Sequence, residues 1–227
     1  MELHSPNWPA YGIIVLLSVL IGIIYIYKSL KKEKINDKRI FLFFFMMFVF
    51  AFVFGKIYTL LTDPDVTSFL KAGLSSYGGL IGVVISAIYF ELILPTDKKI
   101  IKYSIISLPL IYSLSKIGCT VAGCCGGIPY KGLFNVTYVD RMNIQQFPVQ
   151  ALEVIVFMII FIVCNKFKAN KYITYITMSA VAIFKFLLDF LRYDHVTKMI
   201  TVNQIFSIIL LAIVIIVFII NKNKKEA

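Results

Sequence analysis

Several short groupings in this chain combine residue types that do chemistry at chemically sensible spacings. Lys116-Ile117-Gly118-Cys119 sets an ammonium and a thiol three residues apart. On a helix they share one face, and a nearby cation lowers a thiol's pKa. Gln150 and Glu153 are also three apart and follow Pro148, which suits the first position of a helix. A carboxylate there complements the helix dipole, or it takes a cation as partner. Lys185, Asp189 and Arg192 follow an i, i+4, i+7 pattern, so a continuous helix gathers them on one side. That set reads either as a self-neutralised network or as a clamp in which Arg192 offers a planar fork to a phosphate.

Two further groups are less charged. Ser75-Ser76-Tyr77-Gly78-Gly79-Leu80-Ile81-Gly82 opens an apolar stretch. Paired glycines at a helix mouth allow a backbone or a headgroup to come close, and free N–H groups of a first turn bind anions. The competing reading is a helix-packing glycine set with an interfacial tyrosine. Cys119, Cys124 and Cys125 fall within seven residues, but no His, Asp or Glu lies between Asp97 and Asp140. The spacing fits no standard zinc pattern, so packing of a tight turn or a disulfide is expected ahead of a metal. No metal and no cofactor is expected.

The elements that must carry these residues follow from composition. Of 227 residues, 59% are hydrophobic and 15% charged. A soluble chain of this length has too little interior for that much apolar surface. Apolar segments near 20 residues recur, the length that crosses a hydrocarbon core of ~30 Å. Seven spans are expected, at about 11–27, 40–61, 78–94, 103–122, 149–165, 172–191 and 202–221. Residues 1–11 carry no Lys or Arg, so a cleaved leader is not expected and the first span should remain.

The net charge of +11 would suit a nucleic-acid partner, but the basic residues sit in short clusters between apolar runs. One alternating set of connections holds fifteen of them, around Lys28–Arg39, Lys98–Lys102, Lys166–Lys171 and Lys222–Lys225. The other set holds five: Lys71, Lys131, Arg141, Arg192 and Lys198. The positive-inside rule then puts the N-terminus outside and the C-terminus in the cytoplasm. The expected fold is an all-α integral membrane protein of about seven transmembrane helices. It forms a single polytopic domain, 1–227, with an external loop at 123–147, and nucleic acid is excluded as a partner.

Three basic residues remain inside predicted spans: Lys56, Lys116 and Lys185. Each lies five or six residues from the outer end of its helix, roughly 8–9 Å deep at ~1.5 Å per residue. Snorkelling explains one such lysine, whereas three at one depth point to a site. Asn203, Gln204 and Ser207 add polar groups at the same outer level. The pattern describes a cationic pocket open to the outer leaflet, with an anionic phospholipid headgroup as its natural ligand.

At this point the chain resembles a known family. Tyr77-Gly78-Gly79-Leu80-Ile81-Gly82 is similar to the His-Gly-Gly-Leu-Ile-Gly motif of prolipoprotein diacylglyceryl transferases. Tyr11-Gly12, Gly55-Lys56, Lys116-Ile117-Gly118, the Phe147–Glu153 run, the Lys185, Asp189, Arg192 set and Gln204-x-x-Ser207 resemble family segments in the same order. The Cys119–Cys125 stretch resembles a cysteine-containing branch. The resemblance implies transfer of a diacylglyceryl group from phosphatidylglycerol to the thiol of a lipobox cysteine in an exported prolipoprotein, at a bacterial plasma membrane. It implies catalytic roles for Tyr77, Lys116, Glu153 and Arg192. It implies substrate binding by Lys56, Gly78, Gly79, Cys119, Gln150, Lys185, Asp189 and Gln204.

The departures are also specific. Tyr77 and Phe147 stand where the family has His, Leu152 stands where it has Tyr, and Lys56, Lys116 and Lys185 replace arginines. Lysine keeps the charge but loses the fork. Without either His, the base that takes the thiol proton has no assigned residue. Three alternatives follow: a paralogue acting on another acceptor, a lipid-binding membrane protein without chemistry, or a thiol oxidoreductase using Cys124 and Cys125. Adjacent cysteines suit thiol exchange poorly, and no Cys-x-x-Cys occurs.

Overall fold

Long apolar segments punctuated by polar caps form seven α-helices in the computed structural model, which describes residues 2–3, 7–63, 67–94, 98–138 and 144–226. They are α1 Trp8–Lys32, α2 Asp37–Thr62, α3 Ser76–Ile93, α4 Lys99–Val121, α5 Val149–Lys166, α6 Ile173–Asp189 and α7 Val202–Glu226. The start signals are local. Asn36 caps α2 by accepting from the Lys38 N–H, and Ser75 caps α3 by accepting from the Tyr77 N–H. Five helices (α1, α2, α4, α5 and α7) are long and apolar enough to cross a membrane by themselves. Polarity runs inside out. Ile13, Leu16, Ile155 and Ile216 are exposed, whereas Ser18, Thr177, Gln150 and Ser207 are buried. A bilayer surrounds apolar side chains and leaves polar ones to satisfy each other within the protein.

The chain divides into two compact units, residues 22–108 and residues 1–21 with 109–227. In the first, α2 and α3 pack with almost no space between backbones. A Cβ at Gly78 would lie 2.2 Å from the Phe54 carbonyl oxygen, and one at Gly82 would lie 2.4 Å from that of Phe50. Small residues at such a contact are what let membrane helices approach. Ile26, Leu30, Phe43, Met47, Phe90, Ile100 and Tyr103 form the core of this unit. Below it the Tyr103 hydroxyl donates to Glu33 at 2.7 Å, and Lys99 stands 3.3 Å from the same carboxylate. The Tyr103 hydrogen bond, acting against partial burial and aided by Lys99, holds the Glu33 carboxyl below its ordinary range.

The second unit contains α5, α6, α7 and a small sheet. Here the segment expected as an external loop is partly ordered by pairing. Strand β1, Glu2–Leu3, runs parallel to β2, Val136–Tyr138, which pairs antiparallel with β3, Gln145–Gln146. The register sets Glu2 opposite Thr137 and Val136 opposite Gln146. Arg141, counted with this loop in the sequence, lies outside the described residues.

One helix ends earlier than its apolar run suggests. The span expected to reach 191 stops at Asp189, and Arg192 is extended, with φ −87° and ψ 152°. The cause is competing backbone pairing. The Ile128 N–H donates to the Leu191 carbonyl at 3.0 Å, and the Tyr193 N–H donates to that of Gly126 at 3.0 Å. Arg192 therefore does not share a helix face with Lys185 and Asp189, a correction to the i, i+4, i+7 reading.

Candidate functional site

Glu153 is the centre of the polar interior of the 109–227 unit. Pro148 occupies the cap position before α5, not the first helical position, and has no N–H to leave unpaired. This start turns Gln150 and Glu153 inward, where both are about 1–2% exposed. One Glu153 oxygen meets the Lys116 ammonium at 2.8 Å. The other accepts from the Arg192 guanidinium at 2.7 Å and from the Tyr112 hydroxyl at 2.9 Å. Burial disfavours the Arg192 cation, but the Glu153 carboxylate outweighs that and holds its pKa well above the ordinary value. Taking two charges from water is costly unless geometry is good and other lone pairs are filled. Here Tyr112 and Arg192 supply the extra donors.

Tyr112 is also a platform. The Lys185 ammonium sits 4.0 Å from its ring centroid and the Lys116 ammonium 5.1 Å. Two lysines from α4 and α6 thus converge on one aromatic ring, whose faces attract cations electrostatically. Asp189 lies on the far side of Arg192. Its carboxylate accepts from the Thr201 hydroxyl, faces Arg192 Nε at 3.6 Å and faces His195 Nε2 at 3.6 Å. Three cations, Lys116, Lys185 and Arg192, therefore surround two carboxylates, Glu153 and Asp189. Fully ionised, the cluster has one formal positive charge in excess, the electrostatics of an anion site.

The cysteine turn attaches directly to this cluster. Gln150 Nε2 donates to the Cys124 carbonyl at 2.8 Å. The chain reverses at Gly123, with φ 64°, and Cys125 also takes a left-handed φ of 58°. Gly127 then passes between the backbones of Phe147 and Leu191. A Cβ there would lie 2.2 Å from the Phe147 oxygen and 3.0 Å from that of Leu191, so only glycine fits. The sulfurs of Cys119, Cys124 and Cys125 lie within 4.8 Å of one another, and all are free thiols.

The remaining expected site residues divide by role. Gln204 takes part in a helix cap. The Thr201 N–H donates to its side-chain oxygen at 3.1 Å, and its own N–H donates to the Thr201 hydroxyl at 3.2 Å. That is a capping box at the start of α7. In the 22–108 unit, Gly78 serves the α2–α3 contact. Gly79 has no neighbour closer than 4.0 Å to a built Cβ. Tyr77 is buried and stacks on Tyr58 at 5.8 Å. Lys56 was expected to face a phosphate. Its ammonium instead donates to the carbonyls of Phe69, Leu70 and Ala72 at 2.9–3.2 Å. An ammonium has three N–H bonds, and these three acceptors account for them.

Four residues at or beside this cluster escaped the sequence reading: Tyr112, Thr201, His195 and Gln146. Tyr112 lies four residues before Lys116, on the same helix face, and was legible on that ground. Thr201-x-x-Gln204 before an apolar run is a legible capping-box signature. His195 reaches Asp189 across a 3-10 turn, Tyr193–Val196, and has no periodic signature. Gln146 is fully buried with both side-chain polar atoms unpaired among the described residues, and nothing local marks it.

The family model of prolipoprotein diacylglyceryl transferase matches residues 3–220. A phosphatidylglycerol–prolipoprotein diacylglyceryl transferase of Clostridium tetani is 26% identical over 245 aligned positions. That alignment covers 99% of this chain and 98% of the relative.

Proposed function

The chain belongs to the prolipoprotein diacylglyceryl transferase family, and from that premise we propose that it moves a diacylglyceryl group from phosphatidylglycerol to a lipobox cysteine thiol. The acceptor is an exported prolipoprotein, and the setting is the outer leaflet of a bacterial plasma membrane. The observation that carries this reading is the convergence of Lys116, Lys185 and Arg192 around Tyr112 and Glu153.

The chemistry explains why that cluster suits the reaction. A thiolate attacks the glyceryl carbon next to the phosphate. The carbon–oxygen bond breaks, and its electron pair leaves on the phosphate oxygen as glycerol phosphate. Negative charge grows on that oxygen in the transition state, so fixed cations in a dry site lower the barrier. Lys116 and Arg192 are held in place by Glu153 before substrate arrives, which removes reorganisation cost. Arg192 offers the fork that the replaced arginines no longer provide.

The test uses purified protein reconstituted with phosphatidylglycerol and a lipobox peptide. Mass spectrometry is expected to show a diacylglyceryl-sized gain on the cysteine. Lys116→Ala and Arg192→Ala are expected to abolish it, since losing a single charge-stabilising donor costs about 10²–10³ in rate. Wild-type rates in both variants would remove these residues from the site. A second reading rests on Tyr77 and Phe147, which replace the two family histidines. Lipid binding with no mass gain, beside an active family enzyme, would favour that reading: a paralogue with another acceptor or a lipid-binding protein.

A further inference from the structure

The three converging thiols are not used by the phosphate chemistry above. Cys119 lies in the last turn of α4, the chain reverses at Gly123, and Cys124 and Cys125 return toward the same point, bringing three sulfurs within 4.8 Å of one another. Zinc–sulfur bonds of about 2.3 Å place tetrahedral ligand sulfurs ~3.8 Å apart, so side-chain rotation of about 1 Å closes the set. The sequence spacing argued against this because zinc motifs are usually read from paired loop cysteines. Here a helix end supplies one ligand, and a reversal supplies two.

Two further observations set this turn apart from simple packing. Cys125 holds a left-handed φ of 58°, a conformation that non-glycine residues rarely adopt. Two cationic residues also belong to neighbouring backbone: Lys116 is one helical turn before Cys119, and Arg192 pairs its backbone with Gly127. Three thiolates and a divalent ion carry a net charge of −1, which those cations offset. Among the described residues no His or carboxylate joins the three sulfurs. Three protein ligands with a fourth position open is the pattern of a reactive zinc site, and soft thiolates favour zinc over hard cations.

We propose that Cys119, Cys124 and Cys125 bind one zinc ion whose fourth ligand is the thiol of the acceptor cysteine. The second half of this proposal rests on the transferase reading. The acceptor thiol forms a sulfur–zinc bond and releases its proton to water. The zinc-held sulfur attacks the glyceryl carbon as the carbon–oxygen bond to phosphate breaks, and the neutral thioether dissociates. This step supplies the thiolate in a chain where Tyr77 and Phe147 replace histidines.

The experiment titrates Co2+ into the reduced, full-length protein in detergent. Uptake of one ion per chain with sulfur-to-cobalt charge-transfer bands, bleached by Zn2+, is expected. Cys119→Ser, Cys124→Ser and Cys125→Ser should each lose the bands, and Cys164→Ser should keep them. A lipobox thiol peptide should shift the spectrum, while the same peptide with Ser in place of Cys should not. No cobalt uptake by the wild-type protein overturns the metal site without reference to any variant's folding. Uptake without response to the thiol peptide overturns the acceptor role. Neither readout depends on diacylglyceryl transfer, so loss of the transferase reading and loss of the metal site are separable.

Discussion

Lys116 on α4 and Glu153 on α5 form a buried ion pair at 2.8 Å, and the same carboxylate holds Arg192 at 2.7 Å. One acid thus fixes two cations that come from distant parts of the chain. Glu153→Gln leaves both buried cations without their counter-charge. Breaking a buried pair in this way costs about 3–5 kcal/mol. The variant should melt earlier in detergent and lose transfer. Adding Lys116→Met should recover part of the stability but none of the activity. A double mutant less stable than Glu153→Gln alone would show that the two residues are not coupled.

Tyr112 makes two separable contributions. Tyr112→Phe removes the hydrogen bond to Glu153 but keeps the ring beneath Lys185 and Lys116. The expected loss is about 1.5–3 kcal/mol, as for a hydrogen bond to a charged group. Tyr112→Leu also removes the aromatic face, worth about 0.5–2 kcal/mol per cation. Thermal melts should therefore rank wild type, Phe and Leu in that order, and equal Phe and Leu values would remove the cation–π role.

The paired glycines answer differently to the same change. Gly78→Ala pushes a methyl group to within 2.2 Å of the Phe54 carbonyl, so α2 and α3 must separate. Overpacking of this kind costs about 1–3 kcal/mol. Gly79→Ala meets nothing closer than 4.0 Å, and alanine favours a helix by about 1 kcal/mol over glycine. A stable Gly79→Ala protein with lost transfer would assign Gly79 to the headgroup, whereas full activity would remove Gly79 from the site.

Thr201 caps α7 and donates its hydroxyl to Asp189. Thr201→Ser keeps both functions and should behave as wild type. Thr201→Ala loses a cap worth about 1 kcal/mol and strands a buried carboxylate lone pair, a further cost of about 1–3 kcal/mol. Melting temperatures of the two variants compared with Gln204→Ala decide this: if all three match wild type, the capping box is not contributing.

Legibility in the sequence followed range. The seven helices were readable because each apolar run is a local signal of about 20 residues. The charged residues of the cluster were readable because ionisable groups in apolar runs are rare and costly. Their pairing was readable only in part: a cation partner for Glu153 was one of two readings, and Lys116 supplies it. Lys185 stands over Tyr112, Asp189 faces His195, and Lys56 is taken up by three carbonyls of its own neighbouring loop.

The motifs carried the family resemblance, and the sequence by itself determined that this is an all-α integral membrane protein and which polar residues had to find partners inside it. That follows from transfer free energies that add along ~20 residues at a time. Tertiary structure alone decided that Arg192 leaves the helix to meet Glu153, drawn off by backbone pairing of Leu191 and Tyr193 with Ile128 and Gly126. It alone decided that three sulfurs meet at one point. Both outcomes depend on which distant backbones come close enough to pair, and helical periodicity holds no information about that.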